Sequence, residues 1–179
     1  YLAGDDARRA AELMELVNDP DIAGIICARG GYGCDRILPM LDARAFRHAA
    51  KPLVGYSDIT ALLLWQHRCA GLMGIHGPML DHGADLDRAA LDHLIQQLTG
   101  EGALPSTLHG RPLVGGRATG RIIGGSLTLL AASIGSPWEF DTRGAILLIE
   151  DVGERPYQID HILQQLRAAG KFKRLAAVD

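Results

Sequence analysis

Several kinds of signal are missing from this chain of 179 residues. No run of 18 or more uncharged apolar residues occurs, so no membrane-spanning helix is expected. Only three cysteines are present, Cys27, Cys34 and Cys69, and no two have C-x-x-C spacing. Neither a disulfide framework nor a zinc site is therefore indicated, and a reducing compartment is favoured. The 18 Lys and Arg residues do not exceed the 21 Asp and Glu residues, and the net charge of −3 argues against nucleic-acid binding.

The composition is that of a globular protein with an excess of glycine. Apolar residues make up 47% of the chain and charged residues 22%, which argues against a disordered or fibrous protein. Glycine occurs 22 times, more often than in an average protein. The chain starts without Met, and residues 173–179 look like the start of a buried strand. We therefore expect a piece of a longer protein, truncated at both ends.

Helical and extended patterns alternate along the chain, which predicts an α/β fold with mainly parallel strands flanked by helices. Apolar segments typical of buried strands occur at 22–27, 52–55, 72–75, 121–124 and 144–149. Apolar stripes and capping signals predict helices at 10–17, 35–41, 58–65, 91–98, 126–134 and 156–166.

The segment 101–120 is rich in Gly, Pro, Arg and Thr and lacks periodicity. It predicts a linker between two domains. The N-terminal domain is expected to span 1–100 and to be incomplete at its start. The C-terminal domain at 121–179 is expected to be α/β or β-rich and incomplete at its end.

A serine follows the second predicted strand in Gly55-Tyr56-Ser57-Asp58. A strand that turns directly into a helix can expose Ser57 Oγ above the sheet and direct the free amides of the helix N-terminus toward it. The nucleophile elbow G-x-S-x-G is matched only in part, because Ile59 occupies the last glycine position. The local sequence leaves two interpretations open: a catalytic Ser57, or a Ser57 or Asp58 that merely caps the helix.

Three glycines follow the first predicted strand in Arg29-Gly30-Gly31-Tyr32-Gly33. Such a loop can turn backbone N–H groups toward an anion, or it can simply be a turn that needs positive φ. It is not a dinucleotide fingerprint, because Arg36 occupies the third glycine position, and no Gly-Lys-Ser/Thr of a P-loop follows. Because parallel strands end at the same sheet edge, the loop could supply an oxyanion-hole amide beside Ser57.

Candidate acids and bases are less distinct. Glu150-Asp151 follows the strand predicted at 144–149, where a carboxylate can orient a histidine or simply open a solvated turn. Among seven histidines, only His76 in His76-Gly77-Pro78 is placed for a site, and a structural turn residue is the alternative. Cys34 is a rival nucleophile, but no neighbouring His or Lys lowers the pKa of its thiol, which favours a structural role. A convincing general base is not visible.

Motifs along the whole chain occur in the order typical of one family. In the first half they are Cys27-Ala-Arg-Gly-Gly-Tyr-Gly33, Gly55-Tyr-Ser-Asp-Ile-Thr-Ala-Leu62 and His76-Gly-Pro-Met79. In the second half they are Gly124-Gly-Ser-Leu-Thr-Leu-Leu130, Gly135-Ser-Pro-Trp138, Leu148-Ile-Glu-Asp151 and Glu154-Arg-Pro-Tyr157. This set resembles the LD-carboxypeptidases, or muramoyltetrapeptide carboxypeptidases, a serine peptidase family that includes the microcin self-immunity proteins.

The resemblance implies a Ser-Glu-His triad in which Ser57 is the nucleophile and Glu150 orients the histidine. It also implies an oxyanion hole formed by the Asp58 amide and a glycine amide of Gly30 or Gly31. The histidine of the family lies in a Gly-His segment near the C-terminus, which is expected beyond Asp179. These 179 residues alone are therefore expected to be inactive.

The implied reaction is the release of terminal D-alanine from murein tetrapeptide during peptidoglycan recycling in the cytoplasm. Arg29 or Arg155 could bind the terminal carboxylate of the substrate, and a solvated or ion-paired arginine is the alternative for each. The resemblance implies a homodimer, no cofactor or metal, and no nucleic-acid or membrane partner.

Two further hypotheses stay open. The first is an enzyme of the same family that hydrolyses a microcin-type peptidyl nucleotide. Trp138 would then offer an aromatic surface for a base, unless it belongs to the core. The second is a non-enzymatic module in which the Gly-rich turn binds a phosphate or carboxylate.

Overall fold

The computed structural model describes residues 2–80, 88–101 and 110–179, so His82 and residues 102–109 of the predicted linker, which include His109, lie outside the described residues. The α-helices in these ranges are α1 (Asp6–Asn18), α2 (Cys34–Ile37), α3 (Ala43–Ala49), α4 (Ile59–Trp65), α5 (Arg88–Thr99), α6 (Leu127–Ala132) and α7 (Pro156–Ala168). The strands are β1 (Ile25–Ile26), β2 (Leu53–Gly55), β3 (Ile75–His76), β4 (Arg121–Ser126), β5 (Ala145–Glu150) and β6 (Ala177–Val178). A 3₁₀ turn at Leu38–Met40 follows α2, and a π-helical turn at Gln66–Ala70 follows α4.

The first sheet consists of three parallel strands in the order β1-β2-β3. Its central strand β2 is buried along its whole length, which explains why Leu53, Val54 and Gly55 form an uninterrupted apolar run. Val17 of α1 and Phe46 of α3 belong to the core cluster around this sheet. The carboxyl ends of the three strands, and the turns that follow them, lie at one edge.

The second sheet has the order β4-β5-β6 and is also parallel. The register runs from Arg121 opposite Ala145 to Ser126 opposite Glu150. Leu147 of β5, Leu130 of α6 and Leu166 of α7 have no exposed surface and form the centre of a second core cluster. Because β4 and β5 end together, the last residues of both strands lie side by side.

The end of the chain pairs with β5. The Asp179 N–H donates to the Leu147 carbonyl at 2.8 Å, and the Asp179 carbonyl accepts the Ile149 N–H at 3.0 Å. The strand expected within 173–179 is therefore present, but Val178 is 56% exposed rather than buried, since β6 pairs only with β5 in the described parts of the chain. The catalytic histidine expected beyond Asp179 stays a prediction.

Local signals account for several helix boundaries. Asp5 caps α1, since its carboxylate accepts a hydrogen bond from the Arg8 N–H at 2.8 Å. Pro156 occupies the first turn of α7, where its missing N–H needs no partner. The prediction of an α/β fold with parallel strands flanked by helices is confirmed.

Two details differ from the sequence-based expectations. The third strand is Ile75–His76 rather than 72–75, so His76 is a strand residue and not the first residue of a turn. Helix α3 is not predicted, because Phe46 is its only buried side chain and no apolar stripe marks it. The division into domains at 1–100 and 121–179 stays a prediction. In the described parts of the chain, no helix has the length and apolar character needed to cross a membrane.

Helix α4 contacts both sheets. Leu62 belongs to the core cluster of the first sheet, whereas Leu64 packs into the cluster of the second. From the other side, Leu129 and Trp138 pack against the first cluster. The helix that follows the Gly55-Tyr56-Ser57-Asp58 turn is therefore held between the two sheets.

Candidate active site

The backbone of Ser57 has an unusual conformation. Its φ is +58°, and Ala50 is the only other described non-glycine residue with a positive φ. A non-glycine residue in the left-handed region is strained, and such strain is characteristic of a serine on a sharp strand-to-helix turn. Ser57 is half-buried, and its hydroxyl makes no hydrogen bond to the described residues. This arrangement leaves the Ser57 hydroxyl available to a ligand.

The side chain of Asp58 does not cap helix α4, which was one interpretation of the local sequence. This residue occupies the N-cap position of α4, but its side chain makes no capping hydrogen bond there. Its buried carboxylate instead accepts the N–H of Cys34 at 2.9 Å, at the start of α2. Asp58 therefore ties the serine turn to the end of the Gly-rich turn. The sequence did not predict this contact, because it joins residues 24 positions apart.

Replacing Asp58 tests this connection. In Asp58→Ala the buried Cys34 N–H loses its acceptor, so we expect the free energy of unfolding to fall by about 1–3 kcal/mol. Asp58→Asn keeps a carbonyl acceptor at the same place and is expected to lose less than half of that. Urea titration measures both values. The exposed cap residue Asp42, which accepts the Arg44 N–H, is the control, and Asp42→Ala should cost about 1 kcal/mol. Equal losses in Asp58→Ala and Asp58→Asn would contradict the assigned role.

The Gly-rich turn approaches Ser57 closely. A Cβ atom at position 30 would lie 3.1 Å from Ser57 Cβ and 3.2 Å from Ser57 Oγ. The same atom would lie 3.4 Å from Met79 Cε, so Met79 also borders this space. Gly30 is therefore adjacent to the hydroxyl, as a role for its amide beside Ser57 requires. The structure also shows why a side chain at position 30 would crowd the serine.

We expect Gly30→Ala to impair catalysis much more than folding. The new methyl group would crowd Ser57 Oγ and displace the amide that is predicted to line an oxyanion hole, and we expect kcat to fall by about 10- to 100-fold. Gly115→Ala is the matched control, because a Cβ there would meet no atom within 4 Å. Steady-state kinetics and thermal unfolding should be measured for both variants. An unchanged kcat in Gly30→Ala would argue against an oxyanion hole at this turn.

The two carboxylates at the end of β5 have different surroundings. Asp151 already has hydrogen-bond donors, since its Oδ2 accepts the Thr128 N–H at 3.0 Å and the Thr128 hydroxyl at 2.9 Å. Glu150 Oε1, in contrast, is buried and has no hydrogen-bond partner among the described residues. Burial raises the pKa of Glu150, and the charge of Asp151 raises it further. Glu150 therefore has an acceptor oxygen available for a donor such as an imidazole N–H, whereas Asp151 is hydrogen-bonded to Thr128 in the first turn of α6.

His76 is the titratable neighbour of this free oxygen. Its Nε2 lies 3.9 Å from Glu150 Oε1, which is too far for a hydrogen bond. Its side chain is 29% exposed, and burial lowers the pKa of its imidazole. The Tyr56 ring lies on another side of it, with a centroid distance of 6.1 Å. The strands thus bring His76, predicted only as a weak candidate, close to Glu150.

The remaining candidates are placed less favourably for chemistry. Arg29 and Arg155 are exposed, and no ion pair of either side chain is seen in the described part of the chain. Burial raises the pKa of the Cys34 thiol and raises that of Cys27 to about 11, so neither is a thiolate at neutral pH. Among residues 2–80, 88–101 and 110–179, no group of three or more His, Cys, Asp or Glu side chains could hold a metal ion.

Sequence reasoning missed Thr60. This residue is fully buried, and its hydroxyl accepts the N–H of Ser126 at 3.2 Å. One signal was available, since Thr60 is the only hydroxyl-bearing residue in α4, whose other residues are Ile, Ala, Leu and Trp. A polar side chain on an entirely buried helix requires a hydrogen-bond partner. The identity of that partner depends on the packing of the second sheet and could not be read from the sequence.

Comparison with protein families identifies relatives of both halves of the chain. Residues 1–77 match the LD-carboxypeptidase N-terminal domain, and residues 119–178 match the LD-carboxypeptidase C-terminal domain. The probable murein peptide carboxypeptidase of Bacillus subtilis is 42% identical over 187 residues, covering 99% of this chain and 57% of the relative. The murein tetrapeptide carboxypeptidase of Pseudomonas aeruginosa is 37% identical over 190 residues, covering 99% of this chain and 61% of the relative.

Solved structures agree with this assignment. The muramoyltetrapeptide carboxypeptidase of Oxalobacter formigenes superposes with a TM-score of 0.83 at 32% identity, over 99% of this chain and 62% of that one. The protein MccF in complex with glutamyl sulfamoyl guanosine superposes with a TM-score of 0.84 at 28% identity, over 99% of this chain and 63% of that one. The chain thus spans 57% to 63% of the length of these four relatives. Both of its halves match in family order, and the chain belongs to the LD-carboxypeptidase family.

Proposed function

We propose that the protein containing this chain is a serine-type carboxypeptidase that cleaves an L,D-peptide bond and releases the terminal D-alanine of murein tetrapeptide. The observation that carries the proposal is Ser57. It combines a positive φ, a half-buried position, a hydroxyl without a partner among the described residues, and a separation from Gly30 too small for a side chain at that position. Membership of the LD-carboxypeptidase family supports the reaction class. The substrate in the name of the Pseudomonas aeruginosa relative supports the choice of murein tetrapeptide.

In the proposed mechanism, Ser57 Oγ attacks the carbonyl carbon of the L,D-peptide bond. The amides of Asp58 and of Gly30 or Gly31 donate hydrogen bonds to the oxyanion that forms, and one such donor contributes about 3 kcal/mol in related sites. A histidine takes the serine proton and then transfers it to the amino group of the leaving D-alanine. Water attacks the resulting ester, which regenerates the serine and releases the tripeptide.

Glu150 has the role of orienting that histidine through its free Oε1. The family resemblance implies a histidine base in a Gly-His segment, which stays a prediction. His76, whose Nε2 lies 3.9 Å from the same oxygen, is the alternative base. A hydrogen bond from either imidazole would satisfy the buried acceptor that is unpaired in the described residues, and a buried acceptor without a partner is unfavourable.

The direct test uses two tetrapeptides that differ only in their last residue. The protein in its native length should release D-alanine from murein tetrapeptide and should leave the same peptide ending in L-alanine at least about 100-fold less cleaved, because the site is expected to orient only one configuration at the scissile bond. Chiral chromatography of the free amino acid measures both reactions. Equal release from both peptides, or none from either, would contradict the proposed specificity.

A peptidyl nucleotide is the second candidate substrate, because the chain superposes as well on MccF with glutamyl sulfamoyl guanosine as on the muramoyltetrapeptide enzyme. The position of Trp138 weakens this candidate, since its ring packs against the first core cluster. Glutamyl sulfamoyl guanosine, added to the same assay, separates the two. Faster cleavage of this compound than of the tetrapeptide would replace the proposed substrate. The homodimer and the cytoplasmic location stay predictions.

A further inference from the structure

Thr60 links the serine turn to the strand end that carries Glu150. On the serine side, the backbone N–H of Thr60 donates a hydrogen bond to the Ser57 carbonyl at 2.9 Å. Its Cα is thereby fixed relative to the strained turn. The Thr60 side chain is therefore attached to a backbone that is hydrogen-bonded to Ser57.

On the other side, Thr60 Oγ1 accepts the N–H of Ser126 at 3.2 Å. Ser126 is the last residue of β4 and is the register partner of Glu150 in the parallel pair β4–β5. The hydrogen bond therefore ends on the residue beside the acid. Both Thr60 and Ser126 are buried, so water does not compete for this contact.

Packing leaves little freedom at this contact. A Cβ at position 125 would lie 2.7 Å from both Thr60 Cγ2 and Thr60 Oγ1. Only a glycine at 125 therefore allows β4 to approach α4 this closely. One turn further along α4, Leu64 packs into the core of the second sheet and holds the helix in the same place.

We propose that Thr60 is a positioning residue that sets the distance between Ser57 and Glu150. This inference rests on the proposed function, because it takes Ser57 and Glu150 as nucleophile and acid. The two groups come from different sheets, Ser57 after β2 and Glu150 at the end of β5, so no single strand pair fixes their separation. A catalytic triad loses rate steeply when its members move by about 1 Å. The Thr60 hydroxyl supplies a direct connection between the two sheets at this point.

The test compares two substitutions at this position in the protein of native length. Thr60→Val keeps the shape but removes the acceptor, and we expect kcat for D-alanine release to fall by about 10- to 100-fold with KM within about twofold. Thr60→Ser keeps the hydroxyl, and we expect its kcat to stay within about threefold of the parent value. If Thr60→Val does not fold, Thr60→Cys takes its place, because a thiol is a weak acceptor, and the same selective loss of kcat is expected.

Ser133→Ala is the matched control for a general loss of stability. The Ser133 hydroxyl is equally buried and donates to the Leu130 carbonyl at 2.8 Å, in the turn after α6. We expect this variant to unfold at lower urea concentration, as Thr60→Val does, but to keep the parent kcat. The parent kcat in Thr60→Val would overturn the proposal. A loss of kcat in Thr60→Ser or in Ser133→Ala as large as that in Thr60→Val would also overturn it.

Crystal structures of Thr60→Val and Thr60→Ser separate this inference from the proposed function. We expect the Ser57 Oγ to Glu150 carboxylate distance to change by more than about 0.5 Å in Thr60→Val and to stay unchanged in Thr60→Ser. A parent protein that releases no D-alanine would count against the proposed function, and the two distances would still decide on Thr60. An unchanged distance in Thr60→Val would reject the positioning role, whatever the substrate proves to be.

Discussion

Ser57→Ala is expected to lower kcat for D-alanine release by at least about 10⁴-fold, because no other group on this turn can form the acyl intermediate. Alanine at this position has the same backbone strain as serine, so the free energy of unfolding should change by less than about 0.5 kcal/mol. Chiral detection of D-alanine and urea titration measure the two quantities. Loss of activity without loss of stability is the pattern that distinguishes a nucleophile from a helix cap.

Two further variants complete this experiment. Ser57→Gly should be as inactive as Ser57→Ala but more stable, since glycine accepts the φ of +58° without strain, and we expect a gain of about 1 kcal/mol. Ser136→Ala is the control, because it removes a hydroxyl that donates to the Ser133 carbonyl at 2.7 Å, away from the site. Should Ser57→Ala keep the parent kcat, the nucleophile assignment is wrong and the non-enzymatic anion-binding hypothesis gains support.

Glu150→Gln is the second substitution with a large expected effect. The side-chain amide of glutamine orients a histidine less well than a carboxylate does and cannot stabilise the positively charged imidazole, so kcat should fall by about 10³- to 10⁴-fold. Stability should move in the opposite direction. Glutamine removes the charge of a carboxylate that has a buried oxygen without a partner in the described residues, and the free energy of unfolding of the 179-residue chain at pH 7 should rise by about 1 kcal/mol.

The pH dependence of this stability difference has a definite sign. The pKa of Glu150 is raised in the folded state, by burial and then by Asp151. Because the pKa is raised in the folded state, the stability of the parent is unaffected below the ordinary pKa of a glutamate, where Glu150 is protonated in both states. Stability is lost as the pH rises through the pKa of the folded state, because Glu150 then ionises in a partly buried site. Glu150→Gln and the parent should therefore be equally stable near pH 4 and should diverge toward neutral pH. Urea titration at several pH values measures the divergence.

Glu154→Gln is the control for this pair of effects, since Glu154 is an acidic residue between β5 and α7, four positions after Glu150. It should leave both kcat and stability near the parent values. If Glu150→Gln kept a kcat within about tenfold of the parent, the role of an orienting carboxylate would be refuted.

Much of the fold could be predicted from the sequence because its signals are local. Apolar runs mark β2 and β5, and the stripe and cap of α1 mark a helix, since burial on one or two faces is written directly into residue order. Helix α3 could not be predicted, because a single buried residue, Phe46, makes no periodic pattern. The end of β3 was misplaced by one residue because pairing with β2, and not composition, decides where a short strand stops.

In the candidate site, too, the local motifs could be predicted from the sequence, whereas the contacts between distant residues could not. The Gly55-Tyr56-Ser57-Asp58 turn and the Gly-rich turn are local motifs, and their residues could be named in advance. The sequence could not say which of Glu150 and Asp151 is free, because that depends on Thr128 of a different element. It also could not show that the Asp58 carboxylate binds Cys34 rather than capping its own helix.

The sequence by itself determined the family, the α/β alternation and the identity of the nucleophile candidate, since each depends on local motifs and on their order along the chain. Only the tertiary structure decided the distances between them. Ser57 meets Gly30 and Thr60 meets Ser126 because separate strands end at neighbouring places, across 27 and 66 positions of chain. Such contacts arise from packing two sheets against one helix, and no local pattern of residues specifies them.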